Sequence, residues 1–253
     1  MSVKLRQYLR WQLHDGGKGL LYFYGIYLAV MVALHLTVFL SFRVSGAISE
    51  EGFTSGGDVA SGIYLLVIAI IAFGQGLRVG LANSVTRRTV FCGQTLHALA
   101  LALVVSAANL LVGFIFGYFT NYIMMADVMF PAYFESTGSF PALLARFLFG
   151  TATGFLTISG GLFIGGAYYR MSKLPKILVS VLVPFLLLFG LPGLFAFLPA
   201  ATKQALTSWY NGVSGFVMRS PLSLSVFCLA LSALALLFIW LLLRRAPVKN
   251  RVK

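Results

Sequence analysis

The chain has 253 residues and a formal charge of +13, from 19 lysines and arginines against six acids. Only 10% of its residues are charged, 59% are hydrophobic, and the mean hydropathy is +0.92. Soluble domains carry about 25% charged residues, so a soluble enzyme is excluded, as is intrinsic disorder, which needs low hydrophobicity.

Residues 3–14 precede the first apolar run and show helical spacing. Leu5, Tyr8, Leu9 and Leu13 share a face that Lys4, Arg6 and Arg10 avoid, with Trp11 at its margin. That predicts an amphipathic interfacial helix over 1–18, its apolar face in the acyl boundary and its cations toward anionic headgroups. Asp15-Gly16-Gly17 is expected to bend the chain into the first span.

Cutting the sequence at every charged residue leaves six runs of membrane length: 19–42, 59–77, 89–126, 147–169, 177–202 and 220–243. A spanning helix needs about 20 mostly apolar residues, so each run supplies one. The predicted fold is an all-α integral membrane domain over 19–243. Its spans fall at about 20–42, 60–82, 94–120, 142–169, 177–199 and 221–243, and a basic tail over 244–253 follows. The first run, of full span length, is expected to act as a signal anchor rather than a cleaved leader. The stretch 121–141, with Met124, Met125, Met129, Phe130, Tyr133 and Phe134, reads as an interfacial loop.

Span four carries Gly150, Gly154, Gly160, Gly161, Gly165 and Gly166 among Thr and Ser, the composition that lets helix backbones approach closely. Pro184 and Leu191-Pro192-Gly193 predict a kink or break in span five. The segment 204–218 is too short to cross and reads as interfacial or re-entrant. A broken helix leading into it predicts a gate on the extracellular side, with Pro192, Gly193, Trp209 and Tyr210 as its residues.

Basic residues set the topology. With the N-terminus in the cytoplasm, fifteen lysines and arginines fall inside and only Arg43, Arg146, Lys203 and Arg219 fall outside. Both termini are therefore expected in the cytoplasm. The high charge is then a topology signal, and no nucleic-acid partner is expected.

Little chemistry is visible in the apolar runs. His35, His97 and Asn109 lack a carboxylate or thiolate at ligand spacing and read as neutral packing residues. Cys92 and Cys228 read as small apolar fillers. Gly212-Val213-Ser214-Gly215 imitates a rhomboid-type Gly-x-Ser-Gly, but no histidine follows it. No P-loop sequence occurs, so no cofactor is expected in this chain. The absence of acids from the runs argues against a proton- or sodium-coupled carrier.

Between spans two and three, Asn83-Ser84-Val85-Thr86-Arg87-Arg88-Thr89-Val90-Phe91 forms a compact basic loop, with Asn83 or Ser84 available as a helix cap. It resembles the coupling segment of six-helix (type V) bacterial ABC exporter permeases related to peptide and lantibiotic transport. Those often read Asn-Gly-Val-Ser-Arg-Arg/Lys-Thr-x-Phe, so Ser84 stands for the usual Gly and Thr86 for the usual Ser. Gln75 stands where an acid is often seen. The resemblance implies a permease subunit in the bacterial plasma membrane, dimeric with itself or a paralogue. It would dock on a separate ATPase subunit, which binds ATP-Mg. Asn83, Ser84, Val85, Thr86, Arg87, Arg88 and Phe91 would form the contact, the arginines through charge and Phe91 as apolar anchor. The expected cargo is hydrophobic or amphipathic, a small peptide among the choices; the alternatives are a membrane scaffold or a secondary carrier.

Overall fold

The computed structural model describes residues 3–45, 57–119 and 122–244. Glu50, Glu51, Asn121 and the tail 245–253 lie outside the described residues, as do the side chains of His35, Arg43 and Pro192. Among the described residues the fold is all helical, in the order α1 (Val3–Ser45), α2 (Gly57–Ala82), α3 (Arg87–Phe119), α4 (Met125–Met129), α5 (Pro131–Ser136), α6 (Ser139–Arg170), α7 (Lys173–Phe185), a π-helical turn (Leu186–Gly190), α8 (Leu191–Phe197), α9 (Ala200–Val217) and α10 (Pro221–Arg244).

Five of these helices, α1, α2, α3, α6 and α10, are long and apolar enough to cross a membrane. The fifth predicted span is instead divided into α7, the π turn and α8. Pro184 ends the regular ladder because it offers no N–H to the carbonyl one turn back, and the turn that follows it is π-helical. The break foreseen there is present. The segment after it differs from expectation: 200–217 is one helix, α9, rather than a re-entrant hairpin. No proline interrupts it between Pro199 and Pro221, and Gly212 and Gly215 near its end do not stop it.

α1 also departs from expectation. It runs 43 residues without the bend at Asp15-Gly16-Gly17. A Cβ on Gly16 would sit 2.6 Å from His97 Nε2 on α3, so the glycine serves close helix approach rather than a turn. A helical glycine costs about 1 kcal/mol relative to alanine, and packing here offsets it. The bundle-facing stripe is Tyr8, Gln12, Gly16 and Leu20, so of the four residues assigned to the apolar face only Tyr8 is buried, and Leu13 is 41% exposed. Arg6, Arg10, His14 and Lys18, also four apart, face away from the bundle.

The core lies where α6 packs between α2 and α10. From α2, Leu65, Ala69, Phe73 and Leu77 repeat every four residues and are fully enclosed; Ile158 and Leu162 of α6 and Ile239 and Leu243 of α10 meet them. The small residues of span four do what their spacing predicts. A Cβ on Gly161 would lie 2.7 Å from the Leu66 carbonyl oxygen, and one on Gly165 would lie 2.6 Å from that of Ile70. α4 and α5 form a short cap on this bundle, with Phe130 edge-on to Phe149 of α6 at 6.1 Å.

Candidate functional site

Two features stand apart from packing, one at each end of the bundle. The first is the turn between α2 and α3. Val85 N–H donates to the Gly80 carbonyl (2.9 Å) and Ser84 N–H to that of Leu81 (3.1 Å), the paired bonds of a Schellman motif. That motif needs a left-handed residue after the helix, and Ser84 supplies it with φ of 54°. A left-handed residue at this place is the conformation glycine adopts without cost. Ser84→Gly is therefore expected to stabilise the protein by about 0.5–1 kcal/mol, read as a higher thermal midpoint in detergent.

The cap of α3 is Thr86, not Asn83 or Ser84 as expected: its Oγ1 accepts the Thr89 N–H at 3.3 Å, while Asn83 donates back to the Val79 carbonyl at 2.8 Å. The shift follows from the Schellman turn, which uses Asn83 and Ser84 to close α2 before α3 can begin. Lys4 Nζ donates to the Ser84 carbonyl at 3.1 Å and ties the start of α1 to the turn.

The seven loop residues divide into two sets. Val85 is buried, and Phe91 packs inward with its ring 5.3 Å from that of Trp240. Arg87 Nη1 donates to the Arg244 carbonyl at 2.7 Å, satisfying a carbonyl at the end of α10 where a cation also suits the helix dipole. Asn83, Ser84, Thr86 and Arg88 remain exposed. Of the gate residues, Gly193 lies in α8 with open space around it, and Trp209 and Tyr210 are exposed on α9. Pro192 occupies the first turn of α8. Between α8 and α9 lies an open groove lined by Lys203, Gln204, Thr207, Ser208 and Asn211.

At the opposite end of the bundle lies a cavity of about 210 Å³ between α2, α3 and α6, closed on one side by α4. Asn109 organises its floor. Its Oδ1 accepts the Tyr24 hydroxyl (2.7 Å), and its Nδ2 donates to Ser61 Oγ (2.9 Å), so α1, α3 and α2 meet at one amide. Asp58, at the start of α2, accepts the Met125 N–H at 2.9 Å and pins α4 over the opening. Arg146 of α6 pairs with Asp127 of α4 at 2.8 Å and lies 4.5 Å over the Phe134 ring. Thr153 and Thr157 give their hydroxyls to carbonyls of their own helix, leaving methyls to the cavity.

This site is not legible in the sequence, where Asp58 and Arg146 flank apolar runs as span boundaries; the fold draws both to the cavity. Asn109 keeps its expected packing role, and the same bonds make it part of the cavity. His97 is buried under Gly16, with its Nε2 unpartnered among the described residues.

Five apolar helices of crossing length around one core define a multi-pass helical membrane protein. No family model, curated relative or solved structure matches the chain.

Proposed function

We propose that the chain is the transmembrane permease subunit of a bacterial ABC exporter, working in the plasma membrane as a homo- or heterodimer. In this reading it crosses six times with both termini in the cytoplasm, the fifth crossing being the broken α7–π–α8 unit. A separate ATPase subunit binds ATP-Mg and docks on the turn at 83–88. The observation that carries the proposal is the exposed face of that turn. Asn83, Thr86 and Arg88 project from a backbone fixed on three sides by the Schellman bonds, Lys4 and Arg87. A rigid, cationic, solvent-facing turn suits transmission of force, because closure of the ATPase would move α2 and α3 together instead of bending a loop. The cargo is hydrophobic or amphipathic.

Because Arg87 bonds to α10, reversing its charge would disturb the bundle, and Arg88 is the cleaner probe. Co-purification with the ATPase in mild detergent should capture both subunits. Arg88→Glu should weaken that capture by about tenfold, the cost of turning one charge-assisted contact into a repulsion, with the thermal midpoint unchanged. Retention of the ATPase at wild-type level by Arg88→Glu would count against the docking surface.

Asp58 favours one second reading. An acid drawn into a helical bundle is a hallmark of cation-coupled carriers, so a secondary carrier predicts transport in vesicles that lack any ATPase and is collapsed by a protonophore.

A further inference from the structure

The cavity at Asp58 has a charge balance that selects its occupant. Asp58 and Arg146 line it, and Asp127, just outside the lining, neutralises Arg146 at 2.8 Å. Asp58 has no lysine or arginine paired with it among the described residues. Its carboxylate accepts a backbone N–H from Met125 and a side-chain hydrogen bond from Asn109, both from neutral donors. The neutral polar groups are engaged with one another, Asn109 with Tyr24 and Ser61, and Ser106 with the Phe147 carbonyl. Arg146 also lines the space, but its charge is met by Asp127, which leaves the Asp58 carboxylate as the unbalanced charge beside walls of Leu65, Val105, Met124, Met129 and Phe149. A carboxylate in apolar surroundings is costly unless a cation joins it.

We infer that this cavity binds an alkylammonium group, with the ammonium on Asp58 and a short apolar body against the methionines and Phe149. The thioethers are soft and adapt to irregular apolar shapes. A dry cavity of about 150 Å³ accommodates benzene, so 210 Å³ holds a body of roughly that size with its charged head. The ammonium can come from a free amphiphilic amine or from an aminated lipid headgroup. The inference narrows the amphipathic cargo proposed above to cationic molecules, but the site itself does not rest on ATPase docking and is tested without that subunit.

The full chain in maltoside detergent, titrated calorimetrically with hexylammonium, hexanol and hexanoate, should bind only hexylammonium saturably. Asp58→Asn should weaken that binding by about tenfold or more, the order expected for losing one partly buried charge pair. Asp58→Glu, which keeps the charge, should retain the preference for the cation and guards against misfolding of Asp58→Asn. Adding phosphatidylethanolamine, but not phosphatidylglycerol, to the micelles displaces the probe if a headgroup is the resident amine; no displacement assigns the site to a free amine. Equal binding of hexanol and hexylammonium, or unaltered affinity in Asp58→Asn, overturns the assignment.

Discussion

Gly165→Leu is expected to cost about 3 kcal/mol or more and to shift the thermal midpoint in detergent downward. The reason is backbone, not side chain. A Cβ at this position would meet the Ile70 carbonyl oxygen at 2.6 Å, Phe73 Cβ at 3.0 Å and Ile70 Cα at 3.2 Å. None of these can rotate away, so α6 and α2 would have to separate along the interface that holds the core. In a bilayer the loss is not recovered by hydrophobic burial elsewhere, because helix association there rests on close van der Waals contact. Gly160 provides the internal control. It lies on the same helix, but a Cβ there meets nothing within 4 Å, so Gly160→Leu should leave the midpoint within about 0.5 kcal/mol of wild type. Equal effects at both positions would mean that the small-residue face does not set the packing.

The contrast between Gly165 and Gly160 also marks what a sequence can reveal. Span four was legible as a packing face from its glycine spacing, yet which glycines touch a neighbour depends on the rotation of α6 against α2. Gly16 was not legible for a related reason: glycine marks either a bend or a close approach, and only His97 across the interface selects the second, while Gly17 beside it meets nothing within 4 Å. The break near Pro184 was legible because proline acts through local chemistry alone. Asp58 was not legible because a charge flanking an apolar run reads as a span boundary. Its role depends on Asn109, 51 positions away, and Met125, 67 positions away, arriving beside it in space. The loop at 83–91 was legible as a motif, but Phe91 turns inward to Trp240 and Arg87 reaches Arg244, partners that lie about 150 residues later.

Tyr8→Ala is expected to release the start of α1 from the bundle, at a local cost of about 2–4 kcal/mol, the range for deleting a buried aromatic ring. Tyr8 is 5% exposed and sits in a notch made by glycines of two other helices. A Cβ on Gly93 would lie 2.5 Å from its Cδ1, and one on Gly76 would lie 2.7 Å from its hydroxyl. Losing the ring empties that notch and removes the partner of the Gln12 amide, which donates to Tyr8 at 3.2 Å. Lys4 would then no longer be held beside Ser84, and trypsin should cut after Lys4, Arg6 and Arg10 faster than in wild type. Leu13→Ala, on the exposed side of the same helix, should not change the rate. Gly93→Leu should produce the same cleavage by the opposite route, since its side chain needs the space the ring occupies. Combining the two gives the sharper result. A leucine at 93 can fill part of the volume vacated by Tyr8, so the double variant should be cut more slowly than the sum of the single effects predicts, a coupling expected only of residues in contact. Strict additivity would place Tyr8 away from Gly93 and would remove the tie between α1 and the turn that the proposed coupling uses.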